Sequence, residues 1–365
     1  MKKQVKQRLF ISGNEAAALG AIDAGAQIMF GYPITPASEI LESWIGEAQK
    51  NKALKFLQTE DEIAAGFGVL GAVLGGVRSF TASAGPGHIL LQDCLAMAEG
   101  MRLPFVGIMM QRGGPSTGTV NFSQQEVTLA AFGGNGDGLR IVYSASSVQE
   151  LYELVKRGFD SAWRWRWPAI ILGDGYLGKM ITGVELNREK ISAVKSSPIL
   201  KEKKVSTNLK NCYSSEKSLG EMSRLNIADW EKARPAVATS ESFMAEEAEI
   251  LILAHGLVAA AAKDAVAELR QKNIKAGLWR PITLNPLDAP SLKKAVVGVK
   301  RIYIFESSLN QFARIIKYEL FGLNVEIKEI GKPAEGFTAE EIMTQVCVIP
   351  ACQQVCQQTE PESRF

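Results

Sequence analysis

The sequence predicts an α/β protein with two domains, each built on a mostly parallel sheet. Three observations carry this. Short apolar runs alternate with helix-period segments through the first half of the chain. The alternation stops across a polar stretch, then resumes up to about residue 320. Strand–helix alternation of this kind places helices over both faces of a parallel sheet. The 365 residues are enough for two such cores.

Each element has its own reason. Gln27–Gly31 is an apolar run stopped by Tyr32-Pro33, a buried strand. Residues 36–49 repeat with helix period and put Ile40, Leu41, Trp44 and Ile45 on one face. Lys55–Thr59 is a second strand, after which Glu60 opens a Gly/Ala-rich helix. Val77–Thr81 is a third strand, and Gly85-Pro86-Gly87 turns it into a helix running through Met97. Leu103–Met110 and Ala169–Leu172 complete the first series. From about Lys179 to Lys232 periodicity is weak and polar residues accumulate, as in Lys201-Glu202-Lys203-Lys204, so this stretch reads as a connecting arm ordered against a partner. The second series comprises strands at Glu249–Ala254, Ala276–Pro281 and Arg301–Phe305, an Ala-rich helix at Leu257–Lys272 and a closing helix at Phe312–Leu320. The expected division is residues 1–185, an arm at 186–232, a smaller domain at 233–345 and a cysteine-containing tail at 346–365.

Composition narrows the function. The hydrophobic share of 46%, charged share of 22% and net charge of +2 offer no electrostatic case for nucleic acid or a membrane surface. No apolar run reaches the ~20 residues needed to cross a bilayer. The basic start lacks the apolar segment of a secretion signal, so a cytoplasmic location is expected. Five cysteines, Cys94, Cys212, Cys347, Cys352 and Cys356, are odd in number and widely scattered, which argues against a disulfide framework. The spacing of the last three matches no usual zinc or iron–sulfur pattern and reads as a reduced, partly exposed tail. With His88 and His255 as the only histidines, a multi-histidine metal site or a Ser-His-Asp triad has little raw material, and no metal ligands are expected in this chain.

Three clusters could carry chemistry. Gly31-Tyr32-Pro33-Ile34-Thr35-Pro36 lies between a strand and a helix, where open α/β sheets bind ligands. Its prolines stiffen the chain around the Thr35 hydroxyl. A plain turn with Thr35 as helix cap is the alternative. Glu60-Asp61-Glu62 opens a helix unusually rich in Gly and Ala. Acids commonly favour helix starts. Interior glycines each cost about 0.5–1 kcal/mol, which points to close approach of another backbone or a flat ligand. A carboxylate there could be desolvated and bond a heteroaromatic nitrogen. In Gln111-Arg112-Gly113-Gly114-Pro115-Ser116-Thr117-Gly118, an arginine leads a glycine-rich loop, a combination suited to a carboxylate or phosphate. A solvated surface loop is the alternative.

Together with Ser83–Gly87, Arg280-Pro281-Ile282-Thr283 and Glu306–Gln311, these motifs resemble the alpha subunits of 2-oxoacid:ferredoxin oxidoreductases, over residues from about Gly13 to Leu320. The resemblance implies a pyrimidine-type thiamine-diphosphate-binding domain and a smaller domain like the C-terminal domain of transketolases. It implies a beta subunit that holds the diphosphate and Mg²⁺, so that the cofactor lies between the two chains. Glu62 then matches the glutamate that meets the aminopyrimidine N1′, and the Gly/Ala helix beginning at Ile63 favours it over Glu60. Tyr32, Pro33 and Ile34 fall beside the cofactor. Thr35, Arg112, Ser116 and Thr117 fall beside the 2-oxoacid. The [4Fe-4S] clusters belong to partners, with further gamma or delta ferredoxin-like subunits, ferredoxin as electron acceptor and coenzyme A as acyl acceptor. The substrate expected first is 2-oxoglutarate, with branched-chain 2-oxoacids and pyruvate as alternatives. A transketolase-like carboligase subunit and a non-catalytic regulatory partner are the competing readings.

Gly136-Asp137-Gly138 and Gly173-Asp174-Gly175 echo the metal–diphosphate motif of thiamine enzymes, but neither is followed by a suitably placed Asn pair, and both read as turns. Two departures from the family pattern stand out. Residues 119–125 are Thr-Val-Asn-Phe-Ser-Gln-Gln, where Val120 and Phe122 are expected to alter the pocket edge. His88 stands where an aromatic or small residue is expected.

Overall fold

The computed structural model describes residues 7–187 and 209–347. The chain runs β1 (Gln7–Ser12), α1 (Gly13–Asp23), β2 (Ile28–Gly31), α2 (Ser38–Lys50), β3 (Lys55–Gln58), α3 (Glu62–Leu74), β4 (Ser79–Ser83), α4 (Pro86–Leu90), α5 (Gln92–Gly100), β5 (Val106–Gln111), α6 (Val127–Phe132), β6 (Ile141–Ser144), α7 (Val148–Trp165), β7 (Ala169–Asp174), α8 (Gly175–Lys179) and β8 (Ile181–Leu186). It continues α9 (Glu216–Val237), β9 (Ser240–Phe243), β10 (Ile250–Leu253), α10 (Gly256–Gln271), β11 (Ala276–Pro281), β12 (Thr283–Asn285), α11 (Ala289–Ala295), β13 (Arg301–Glu306), α12 (Gln311–Glu319), β14 (Glu326–Gly331) and α13 (Ala339–Cys347).

A seven-stranded sheet, in the order β12-β6-β7-β5-β4-β2-β3, forms the first core. Every neighbouring pair is parallel except β12 on β6. β4, β5, β6 and β7 are buried along their whole length, as strands covered on both faces must be. A five-stranded sheet, β14-β13-β10-β11-β9, forms the second core, with only β9 antiparallel. β1 and β8 make a separate antiparallel pair.

Four expectations need correction. Residues 216–232, expected within the arm, belong to the 22-residue helix α9, which runs on to Val237 in the expected second domain. Its weak period reflects a mostly exposed surface. Only Trp230, Ala233 and Val237 are buried, and Trp230 packs edge-on to Trp167 at 5.6 Å. The arm's Lys201–Lys204 run lies outside the described residues. The helix at Phe312–Leu320 does not close the fold, since β14 and α13 follow it. Cys347 is buried at the end of α13, among the apolar residues of the second core, rather than in an exposed tail; Cys352 and Cys356 lie outside the described residues. Finally, β12 comes from the second half of the chain yet pairs with β6, so the two halves share a sheet.

Charge stitches the same boundary. Buried Arg280 of β11 pairs with Glu241 of β9 and with Glu150 of α7. Among the described residues no helix is long and apolar enough to cross a membrane.

Asp174 ends β7 and caps α8, accepting the Leu177 N–H at 2.8 Å. Burial pushes its carboxyl up to about 7, against the opposing backbone hydrogen bonds of Leu177 and Tyr176. An unfolded aspartate titrates near ~3.9. Between those values the folded chain keeps a proton that the unfolded chain has lost, so Asp174 lowers stability increasingly as pH rises through about 4 to 7. D174N keeps the cap without the buried charge. It is expected to melt above wild type at about pH 8, with the gap closing toward about pH 4. Thermal unfolding at both pH values checks this, and an equal melting temperature at the upper one overturns it.

Candidate active site

The three clusters read from the sequence, and Ser83–Gly87, follow β2, β3, β4 and β5. These strands are adjacent in the order β5-β4-β2-β3 and mutually parallel. All four clusters therefore emerge at one edge of one sheet, at the carboxyl ends where α/β proteins bind ligands.

Glu62 is the first residue of α3 and only 4% exposed, whereas Glu60 is exposed. Asp61 caps the helix, accepting the Ala64 N–H at 2.7 Å. The helix start thus uses Asp61 for capping and turns Glu62 inward. Ser83 Oγ donates to Glu62 Oε1 at 3.4 Å. A methyl group on Gly87 would stand 2.1 Å from Glu62 Oε1 and 2.2 Å from Ser83 Oγ, so the carboxyl lies directly on the Gly87 backbone. Burial raises the Glu62 carboxyl above its ordinary value. Its own backbone N–H and Ser83 pull it back, Asp61 raises it, and the Arg112 charge lowers it. A buried carboxyl that holds its proton more readily than usual is the chemistry a ring nitrogen needs from a proton-sharing partner.

The glycines of α3 have an internal explanation. Gly66 faces Cys94 and Leu91, and Gly68 faces Phe30, each too close for a methyl group. Side chains of neighbouring elements, rather than a second backbone or a flat ligand, occupy those two positions. The outer face differs. β3 is the sheet edge, with Phe56 and Leu57 exposed along it, and Ile63 and Phe67, one turn apart on α3, are each more than a third exposed.

Arg112, just beyond β5, is buried. Its guanidinium runs along Gly85, where a methyl group would stand 2.7 Å from Nε, and its Nη1 donates to the Thr35 carbonyl at 2.8 Å. Arg112 Nε is buried with no hydrogen-bond partner among the described residues. Gly85 itself has φ of 49°, ψ of −114°, a conformation open essentially to glycine. Thr35 does not cap α2: Ala37 holds that position and makes no side-chain cap. Tyr32, Pro33, Thr35, Ser116 and Thr117 are exposed, with Ile34 half-buried, at the same sheet edge. Among the described residues no hydrogen bond joins the Ser116 or Thr117 side chain to Glu62 or Arg112.

Phe122 is a correction. It is 2% exposed, stacks on Tyr176 at 5.0 Å and belongs to the apolar cluster of the second core, so it anchors the loop instead of lining a pocket edge. Among the described residues no group of three or more His, Cys, Asp or Glu could hold a metal ion.

Comparison with known proteins gives these features a family. Residues 19–249 match the model "Pyruvate flavodoxin/ferredoxin oxidoreductase, thiamine diP-bdg", and residues 248–336 match "Pyruvate:ferredoxin oxidoreductase core domain II". The chain belongs to the 2-oxoacid:ferredoxin oxidoreductases. This oxidoreductase subunit is 36% identical over 324 residues to ketoisovalerate oxidoreductase subunit VorB of Methanothermobacter marburgensis, covering 84% of this chain and 88% of the relative. It is 31% identical over 335 residues to 2-oxoglutarate synthase subunit KorA of Methanocaldococcus jannaschii, covering 83% and 89%. Its fold matches 2-oxoglutarate:ferredoxin oxidoreductase from Magnetococcus marinus, solved with 2-oxoglutarate, coenzyme A and succinyl-CoA bound, at TM-score 0.81 and 25% identity over 93% of this chain. The match spans 65% of that longer chain. A split-gene transketolase shares the fold at TM-score 0.58 and 14% identity. The oxidoreductase subunit therefore carries the thiamine diphosphate-binding domain of its family and acts with partner chains.

Gly87 closes the Ser83–Gly87 motif, and its lack of a side chain gives no sign in the sequence that it backs Glu62. Because a methyl group there collides with Glu62 and Ser83, G87A is expected to displace the carboxyl and lower kcat about tenfold or more, with the fold intact. Activity of the assembled enzyme beside its circular dichroism checks this; wild-type kcat overturns it.

Proposed function

We propose that this subunit supplies the proton-sharing carboxylate and the anion-binding arginine of a thiamine-diphosphate-dependent 2-oxoacid decarboxylation. The observation that carries the reading is the buried, pKa-raised Glu62 within the electrostatic reach of buried Arg112, on adjacent strand ends. The cofactor, when bound, supplies the nucleophile and electron sink for decarboxylation. Glu62 shares a proton with its aminopyrimidine ring, and burial raises the carboxyl's affinity for that proton. Tyr32, Pro33 and Ile34 flank the ring. Arg112 takes the 2-oxoacid carboxylate through the part of its guanidinium that is not bound to the Thr35 carbonyl. Thr35, Ser116 and Thr117 line the same loops and orient the substrate.

A beta subunit covers the exposed helix face of Ile63 and Phe67 and the neighbouring edge strand β3, excludes water from Glu62 and brings the diphosphate and Mg²⁺. The [4Fe-4S] clusters that would carry electrons to ferredoxin belong to partner chains, and coenzyme A would accept the acyl group. The substrate read first is 2-oxoglutarate, in line with the KorA relative and the Magnetococcus marinus enzyme. A branched-chain 2-oxoacid is the second reading, favoured by the 36% identity to VorB.

Purified with its partners, the enzyme is expected to reduce viologen in the presence of coenzyme A and 2-oxoglutarate. A panel with 3-methyl-2-oxobutanoate and pyruvate ranks the substrates by kcat/KM. R112A is expected to lower kcat/KM for the 2-oxoacid about tenfold to a hundredfold, and E62Q to lower kcat at least as much while subunits still assemble. Near-normal turnover by E62Q removes Glu62 from this role. Titration calorimetry of thiamine diphosphate into the isolated chain is expected to show no tight binding, and micromolar affinity contradicts a cofactor site completed by a partner.

A further inference from the structure

A buried carboxylate outside the three sequence clusters joins two walls of the site. Glu126 lies at the foot of α6 and is 4% exposed. Its Oε1 accepts the backbone N–H of Gly85 and that of Arg112, each at 3.0 Å. Its Oε2 lies 2.8 Å from Nδ1 of fully buried His88. One carboxylate therefore ties the turn after β4 to the loop after β5, at the two residues whose contact aims the guanidinium: Gly85, on which the Arg112 side chain lies, and Arg112 itself.

Glu126 is in turn held from the second half of the chain. Gln124 Nε2 donates to the His255 carbonyl at 2.8 Å, and Gln124 Oε1 accepts the Ser307 N–H at 2.9 Å. Gln311 Nε2 donates to the Gln125 carbonyl at 2.8 Å, and Gln311 Oε1 accepts the Thr128 N–H at 2.9 Å. The Glu306–Gln311 motif thus clamps the backbone on both sides of Glu126. The contacts form one path, from the second domain through residues 124–128 to the Glu126 carboxylate and on to Arg112.

We propose that Glu126, partnered by His88, is a positioning residue that sets the aim of Arg112 toward the 2-oxoacid. This rests on the reading of Arg112 as the group that takes the substrate carboxylate. Buried backbone donors need acceptors, and losing this one leaves both N–H groups unsatisfied and the two loops unlinked. A small displacement of an anion-binding arginine reads out chiefly in KM.

The test uses the complete complex with its partner subunits and the coenzyme-A-dependent viologen assay, on wild type, E126A, E126Q, H88A, R112A and R112A/E126A. E126A is expected to raise KM for the 2-oxoacid about tenfold to a hundredfold, with a smaller change in kcat. E126Q is expected to recover most of that loss, because its amide oxygen still accepts both N–H groups. R112A/E126A is expected to be no worse than R112A alone, since both act through one side chain. The proposal is overturned by an E126A KM within about twofold of wild type, by equal losses in E126A and E126Q, or by losses that multiply in the double variant. If E126A does not assemble, H88A decides: KM raised about threefold or more, and not further in the R112A background, supports the proposal, and an unchanged KM overturns it. An R112A enzyme with unchanged kcat/KM overturns the reading of Arg112 and the role of Glu126 together. Loss in R112A with none in E126A overturns the role of Glu126 alone.

Discussion

The site depends on keeping one carboxyl, Glu62, out of water at the end of a parallel sheet. Desolvation raises its pKa, and an uncompensated buried carboxylate would be unfavourable. The structure limits that cost locally. Asp61 takes the capping role that would otherwise draw Glu62 outward, Ser83 and the backbone of Glu62 donate to the carboxyl, and Arg112 contributes a positive field. Gly87 makes this possible because any side chain there would occupy the carboxyl's place. A residue with no side chain is thus as much a part of the site as the acid it backs.

The second half of the chain is more than an appended domain. It lends β12 to the first sheet, reaches α7 through Arg280, and buries Phe122 in its own core. The loop that carries Arg112 is anchored at one end by β5 and at the other by residues of the second domain. That explains how a glycine-rich loop, open to water at Ser116 and Thr117, holds a buried arginine in one orientation. The tip is exposed while the base is fixed, because the hydrogen bonds from Gln124 and Gln311 fall at the base.

Most of the first sheet was legible in the sequence. Short apolar strands stopped by Gly or Pro and followed by helix-period segments identified β2, β4, β5 and β7, because a strand buried on both faces has no polar alternation to obscure it; β3 was identified too, although it is an exposed edge strand. α9 was not legible, since a helix held by three buried residues in 22 has almost no apolar stripe. β12 was not legible either: three residues, partnered across the domain boundary, form no pattern within their own segment. The proximity of Glu62 to Arg112 was suggested by strand order alone, and the position of Thr35 ahead of α2, rather than at its cap, depended on how Ala37 and Pro36 settle.

By itself the sequence determined the α/β class, the strand ends that bear the candidate site, and the family, because these reside in contiguous motifs and local periodicity. Tertiary structure alone decided which acid is buried, that Phe122 serves the core, and that Glu126 and His88 meet. Burial and pairing between residues tens of positions apart are set by packing of whole elements, and no local pattern of residues encodes them.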